Sequence, residues 1–189
     1  MIPVLSCEQS YSLDKITIDS GYLSEKQLMD NAGRLLAQFI IEYIPNVFNQ
    51  KFVILSGPGN NGGDGIICHH YLLDYGANSQ LLLLDGSMLE NWIFKEYSIL
   101  GDSVMLYSKA TTFSSEYWYI DGMFGIGLQR DVEGHYKTII QNISKYPHVI
   151  SIDIPTGIYG NTGMSAENSI HAEFTLSFGF TKWGHYFNE

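Results

Sequence analysis

Short apolar runs alternate with amphipathic stretches along most of this chain. The run at 52–55 follows Lys51 and leads into glycines, a pattern typical of a buried parallel strand. Comparable apolar runs recur at 81–84, 104–106, 118–120, 149–152 and 174–178, and helix-like segments lie between them at 64–75, 88–100 and 134–146. This alternation predicts βαβ units with right-handed crossovers, and therefore an α/β fold with a mainly parallel sheet.

The residues ahead of the first strand predict N-terminal helices. Ser24 and Gln27 have the spacing of a capping box, in which each side chain satisfies a backbone N–H of the other residue. Apolar side chains then recur at helical spacing as far as Ile40, and Pro45 ends the segment. A further helix is predicted over 8–18. No internal repeat, linker or low-complexity tract interrupts the pattern, so residues 1–189 are predicted to form one domain with a Rossmann-like sheet.

The charge balance excludes some classes of partner. The chain has 20 acidic and 10 basic residues and a formal net charge of -10. Binding to nucleic acid or to an anionic membrane surface needs a positive field, so neither is expected. Two distant cysteines, Cys7 and Cys68, are expected to be free thiols in a reducing compartment. No apolar stretch approaches a membrane span, and no signal-peptide pattern is present, so a cytoplasmic location is expected.

The loop after the first strand is the strongest candidate for ligand binding. Residues 57–62 fit G-x-G-x-x-G, and Asp85 follows the next strand where a ribose-binding acid would lie, so a dehydrogenase is one interpretation. Asp64 weakens it, because a carboxylate suited to a helix N-terminus would repel a pyrophosphate placed there. The amides of Asn60 and Asn61 could instead face a ribose, an amide or a cation. A tight turn without a ligand is the structural alternative.

Two further loops follow central strands and carry acidic residues. Asp121 ends the run at 118–120 and precedes glycines that would let backbone amides approach a ligand. Asp153 interrupts the end of the run at 149–152, where a buried carboxylate would be suited to general acid–base chemistry. The alternatives are a turn-capping Asp121 and an Asx-turn at Asp153. Parallel strands present their carboxyl ends at one edge, so all three loops are expected to meet there.

Hard oxygen ligands are also predicted at this edge. The Asn61 amide oxygen, the Asp121 carboxylate and the Thr156 hydroxyl lie on the three loops. With no Cys or His among them, they favour a hard cation over zinc. Lys182 could face the same crevice or be solvated. His69 and His70 are adjacent rather than four residues apart, which favours surface or packing roles.

Three ordered segments, 57–65, 121–128 and 152–157, resemble the YjeF N-terminal domain family of NAD(P)H-hydrate epimerases. Segments 28–33 and 178–184 resemble that family too, so the likeness covers essentially the whole chain. It implies a three-layer αβα sandwich, often dimeric. It also implies interconversion of the R and S epimers of hydrated NADH and NADPH, which supplies a dehydratase that acts on one epimer.

The resemblance also implies roles for individual residues. Potassium would be bound by Asn61, Asp121 and Thr156, where Thr156 replaces a commoner Ser. Asp153 would contact the substrate, and a separate mechanistic hypothesis makes it the acid–base catalyst at the C6 hydroxyl. Cys68-His69 stands where a small residue and an Arg are commoner, which removes one possible phosphate partner. The residues implied to bind the nucleotide are Asn60, Asn61, Gly62, Gly63, Asp64, Gly125, Ile126, Gly127, Leu128, Gln129, Arg130, Asp131 and Asp153.

Alternatives remain at the level of function. A non-catalytic nucleotide- or protein-binding module could use the same fold, although loss of the four polar groups Asn61, Asp121, Asp153 and Thr156 would be expected of it. A dehydrogenase would need a separate acid–base site, and the sequence offers none. The strand expected after Gly184 is absent from the sequence, which leaves open a fragment of a bifunctional chain fused to the dehydratase.

Overall fold

The computed structural model describes residues 3–97 and 102–187 and contains a six-stranded, all-parallel sheet. Its strand order is β4-β3-β2-β5-β6-β7. A separate parallel pair joins β1 to β8, with Val4 opposite Thr181 and Leu5 opposite Lys182. The strands are β1 (Val4–Leu5), β2 (Lys51–Ser56), β3 (Asn78–Leu83), β4 (Val104–Leu106), β5 (Trp118–Gly122), β6 (Val149–Ile152), β7 (Phe174–Leu176) and β8 (Thr181–Lys182).

Helices occupy the connections predicted from the sequence, with some different limits. They are α1 (Cys7–Asp19), α2 (Glu25–Tyr43), α3 (Asn60–Asp74), α4 (Trp92–Tyr97), α5 (Gly134–Ile143) and α6 (Gly184–Phe187), with 3-10 turns at Val47–Asn49 and Gly86–Glu90. The Ser24–Gln27 capping box is confirmed at the start of α2. Among the described helices, none is both long enough and apolar enough to cross a membrane.

The α/β sandwich is confirmed because the sheet buries both faces against helices. Alternate β2 residues separate the two cores: Phe52 and Ile54 lie in one, and Val53 and Leu55 lie in the other. The first core contains side chains of α2, α3 and α4, and the second contains those of α5. Burying both faces explains why the strands read as apolar runs rather than as alternating patterns.

The main differences from the sequence prediction concern the fourth helix, the start of α3 and the pairing of β1 with β8. The helix predicted at 88–100 is instead a 3-10 turn at Gly86–Glu90 followed by α4, and residues 98–100 lie outside the described part. Helix α3 begins at Asn60 rather than near residue 64, so part of the glycine-rich run is helical. The β1–β8 pair was not predicted, because two-residue strands are too short to show a period.

Candidate functional site

A cleft of about 1000 Å³ opens at the carboxyl ends of β2, β5 and β6. The chain runs outward from β2 to β3 and β4, then returns to β5 on the other side of β2. Such a change of direction leaves a crevice, which is where ligands bind in open parallel sheets. Helices α1 and α2 form the facing wall with Tyr11, Asp14, Glu25 and Leu28.

The glycines of the β2–α3 loop allow backbones to touch. A Cβ on Gly57 would lie 2.0 Å from the Met123 carbonyl oxygen, and one on Gly62 would lie 1.8 Å from the Gly57 carbonyl oxygen. Gly59 is the N-cap residue of α3 and provides no side-chain cap. The amide N–H groups of the first α3 turn therefore remain available for an anion or a polar ligand at the cleft.

Only part of this loop faces the cleft. Asn60, Asn61 and Asp64 line it, whereas Gly62 packs on the Gly57 backbone and Gly63 packs between side chains of α2 and α4. The sequence suggested that Asp64 lies at the N-terminus of α3. It does not cap the helix, because α3 begins four residues earlier, at Asn60. It lies in the second turn, is only 8% exposed, and burial raises the pKa of its carboxyl well above the usual value.

Asp121 is the centre of a buried hydrogen-bond network. Its Oδ2 accepts from Ser151 Oγ at 2.9 Å and from Thr156 N–H at 2.8 Å. Its Oδ1 accepts from Thr156 Oγ1 at 2.7 Å and from Met123 N–H at 3.3 Å. Burial raises the pKa of the Asp121 carboxyl, while these donors oppose the rise. The turn-capping and ligand-binding interpretations are therefore compatible here, since the Met123 contact is a local cap.

Asn61 ties the three loops together. Its Nδ2 donates to the Ile152 carbonyl at 2.8 Å, and its Oδ1 lies 2.6 Å from where a Cβ on Gly125 would be. Thr156 Oγ1 completes the connection by accepting from Phe124 N–H at 3.1 Å. The predicted cation ligands Asn61, Asp121 and Thr156 thus lie on directly connected loops. Asn61 lines the cleft, whereas Asp121 and Thr156 lie behind its wall.

Asp153 occupies an unusual backbone conformation beside the cleft. It has φ of +65°, which side-chain-bearing residues rarely adopt, and its N–H donates to the Leu176 carbonyl at 2.7 Å. Its Oδ1 lies 2.5 Å from Lys182 Nζ, and its Oδ2 accepts from Ile126 N–H at 3.4 Å. Lys182 is 2% exposed and lines the cleft. It therefore faces the crevice and is not solvated, which decides between the two predicted alternatives.

His185 supports this arrangement, although the sequence offered no motif partner for it. Its Nδ1 accepts from Lys182 N–H at 2.9 Å, which leaves Nε2 to donate to the Asp153 carbonyl at 2.7 Å. The neutral imidazole therefore joins β8 to the residue after β6. Only the spacing Lys182-x-x-His185 hints at this in the sequence.

Some of the remaining predicted residues line the cleft, and others lie outside it. Residues 125–130 line the cleft, whereas Asp131 accepts a hydrogen bond from the Tyr159 hydroxyl outside it. Asp85 caps the 3-10 turn by accepting from Ser87 N–H at 2.8 Å, away from the cleft lining. Cys68 and His69 are fully buried in α3, so neither stands where a phosphate partner could act.

A family model described as the YjeF-related protein N-terminus matches residues 25–184. The chain belongs to this family. The assignment confirms the resemblance seen in the sequence segments.

Similar proteins align with most of the chain. The bifunctional NAD(P)H-hydrate repair enzyme Nnr of Thermofilum pendens is 31% identical over 183 residues, covering 91% of this chain but only 34% of that protein. The NAD(P)H-hydrate epimerase of Elusimicrobium minutum is 27% identical over 192 residues, covering 95% of this chain and 87% of that protein. The crystal structure of the yeast protein ynu0 superposes with a TM-score of 0.84 at 21% identity, over 100% of this chain and 85% of that one, which supports the fold.

The YjeF-related match begins after α1, yet α1 contributes a wall of the cleft. Ser10, Tyr11, Asp14 and Ile18 line it from this helix, and sequence reasoning identified none of them. A helix that contributes to a site only through tertiary packing carries no local sequence motif that would reveal its role. Both residues remain exposed at the cleft surface, Tyr11 at 49%, and partial burial raises the pKa of each.

Proposed function

We propose that this domain interconverts the R and S epimers of hydrated NADH and NADPH. Family membership and the names of relatives such as the Elusimicrobium minutum NAD(P)H-hydrate epimerase support the reaction. The observation that carries it is the buried Asp153 carboxylate at the edge of a cleft large enough for a nucleotide. The proposal makes the protein an isomerase that repairs a damaged cofactor.

The chemistry requires proton transfer at the C6 hydroxyl. When the hydroxyl leaves as water, the lone pair of the ring nitrogen stabilises the cation at C6, and water can return on the other face. Asp153 would exchange protons with these oxygens, and Lys182 holds its Oδ1 at 2.5 Å. The N–H groups at the start of α3 and the backbone of residues 125–128 would hold the rest of the nucleotide.

Potassium is part of the proposal. Asp121 is fully buried, and its partners are hydroxyl and N–H groups. Across residues 3–97 and 102–187, no ion pair compensates its charge. A buried carboxylate of this kind fits a cation that shares it with Thr156 Oγ1 and Asn61 Oδ1. Bound potassium would neutralise Asp121 and fix the three loops.

The partner proposed is an NAD(P)HX dehydratase specific for one epimer. The chain spans 34% of the bifunctional Thermofilum pendens relative, in which one polypeptide is named for the repair of NAD(P)H-hydrate. A dehydratase fused to this domain or acting separately would remove the product epimer. Homodimerisation and a cytoplasmic location belong to the same proposal, the latter supported by the free, buried thiols of Cys7 and Cys68.

A coupled assay tests the reaction. The R epimer is supplied with an S-specific dehydratase, and NADH recovery is followed with and without this protein and potassium. We expect the protein to accelerate recovery, and no acceleration would refute the proposal. Asp153→Asn should abolish epimerisation while nucleotide binding is largely retained, whereas unchanged activity would overturn the role of Asp153.

The non-catalytic binding module makes the opposite prediction. Such a module would bind nucleotide without accelerating NADH recovery. The polar groups of Asn61, Asp121, Asp153 and Thr156 are all present, and each is held by a hydrogen bond within or between the cleft loops and β8, which favours the enzyme.

A further inference from the structure

Asp64 is a largely buried carboxyl group that faces the cleft. It is 8% exposed and lines the cavity from the second turn of α3. Across the described ranges 3–97 and 102–187, its side chain makes no hydrogen bond and no ion pair. Its carboxyl oxygens are not enclosed by protein, so a ligand in the cleft can contact them directly.

The second cleft carboxyl, Asp153, lies in a different environment. Its Oδ1 lies 2.5 Å from Lys182 Nζ, and its Oδ2 accepts from the Ile126 N–H at 3.4 Å. Among the described residues none donates a hydrogen bond to Asp64, and burial, followed by the negative charges of Asp153 and Asp14, raises the pKa of its carboxyl. The same cleft therefore holds one carboxyl that pairs with Lys182 and one whose ionisation burial disfavours. Two carboxyls in such different surroundings are suited to opposite proton-transfer roles.

We propose that Asp64 is a second catalytic residue, which protonates the departing C6 hydroxyl while Asp153 accepts a proton from the water that returns. This rests on the proposed epimerase function and divides between two groups the role first given to Asp153 alone. Asp64 lies on α3 and Asp153 follows β6, so the two groups approach the cleft from different elements.

The protons and electrons balance in each direction. The Asp64 O–H proton moves to the C6 hydroxyl, the C6–O bond breaks to release water, and the ring-nitrogen lone pair forms the C6–N double bond. A water then forms a new C6–O bond on the opposite face and gives its proton to the Asp153 carboxylate. The enzyme is left with ionised Asp64 and protonated Asp153, which can convert the product epimer back by the reverse steps. Exchange with solvent through the open cleft restores the starting state.

Asp64→Asn tests the role directly. The Asn side chain keeps the shape of Asp, but its amide is far too weak an acid to protonate the departing C6 hydroxyl. General acid catalysis contributes about 10²- to 10⁴-fold, and we expect kcat to fall by that factor. Nucleotide affinity should change little. Asp74→Asn is the matched control, since Asp74 lies on the same helix with its side chain 52% exposed and away from the cleft lining. It should keep the wild-type rate.

Two further measurements separate this inference from the epimerase proposal. Infrared difference spectra of wild type minus Asp64→Asn at pH 7 should contain the carbonyl stretch of a protonated carboxylic acid. This signal does not depend on any activity. Asp64→Ala should regain part of its rate when formate is added, because a small acid can occupy the vacated space.

The outcomes are distinct. A wild-type protein without activity would refute the epimerase proposal, whatever the infrared result. An active wild type with an equally active Asp64→Asn would overturn the role of Asp64 alone, as would an ionised Asp64 in the infrared spectrum. A folded but inactive Asp64→Ala that formate cannot rescue would also count against it.

Discussion

Lys182 Nζ lies 2.5 Å from Asp153 Oδ1, so the last strand of the protein holds the carboxylate that follows β6. The same ammonium donates to Ser177 Oγ at 3.1 Å and to the Phe178 carbonyl at 3.3 Å. Three partners satisfy the three protons of a lysine that is 2% exposed. The pair therefore fixes the position of Asp153 and keeps its charge compensated.

Lys182→Met should remove this support at nearly constant volume. Breaking a buried pair by deleting one partner costs about 3–5 kcal/mol of unfolding free energy, because the other charge stays buried. We expect a fall in kcat larger than the change in KM, measured in the coupled assay, together with a lower urea midpoint. Lys137→Met is the control, since Lys137 pairs with Glu167 on the surface at 3.0 Å. Equal effects of the two variants would contradict a positioning role for Lys182.

Gly57→Ala should destabilise the protein, because its Cβ would lie 2.0 Å from the Met123 carbonyl oxygen. Forcing an atom into packed surroundings costs about 1–3 kcal/mol. Gly59→Ala is the control, since no atom lies within 4 Å of its would-be Cβ. Urea unfolding should show a loss for the first variant and little for the second. A wild-type midpoint for Gly57→Ala would show that the loop does not need this close approach.

Thr156→Val should weaken the proposed response to potassium. It removes the hydroxyl that donates to Asp121 Oδ1 at 2.7 Å and accepts from Phe124 N–H at 3.1 Å. The unpaired Phe124 N–H alone should cost about 1–3 kcal/mol. Epimerase rates in potassium and in lithium chloride should become more similar than in wild type. Thr156→Ser retains the hydroxyl and should keep the wild-type difference between the rates in potassium and in lithium. If this rate difference disappeared in both variants, the Thr156 hydroxyl would not be a potassium ligand.

Stability should fall on acidification because of His69. Burial lowers the pKa of His69 to about 4 from 6.5. Between these values the unfolded chain binds the proton and the folded chain does not, so unfolding becomes easier as the pH falls from 6.5 to 4. The loss should reach about 3 kcal/mol. His69→Gln should remove this dependence in urea unfolding, and His171→Gln, at an exposed position, should leave it unchanged.

Asp64→Asn should raise stability at pH 7. Burial holds the pKa of Asp64 well above 3.8, so as the pH rises above about 4 the folded protein retains a proton that the unfolded chain releases. This cost grows as the pH rises from about 4, and Asn does not incur it. The urea midpoint of the variant should exceed that of wild type at pH 7 and approach it at pH 4. A difference independent of pH would mean that Asp64 is ionised in the folded state.

Much of the fold followed from local patterns. The apolar runs located all six strands of the main sheet, because strands buried on both faces need continuous apolar side chains. Residues 98–100, at the end of the predicted fourth helix, lie outside the described part. The topology rule also predicted that the loops bearing Asn61, Asp121 and Asp153 would meet, and the structure joins them by hydrogen bonds.

The sequence by itself determined the sheet, the capping box at Ser24 and the set of loops that carry polar groups, since each depends on neighbouring residues along the chain. Only the tertiary structure decided that Lys182 pairs with Asp153, that Asp64 is largely buried at the cleft, and that α1 forms part of the cleft wall. Charge compensation and burial depend on residues far apart in sequence, so the protonation state expected of each carboxyl follows only from the folded arrangement.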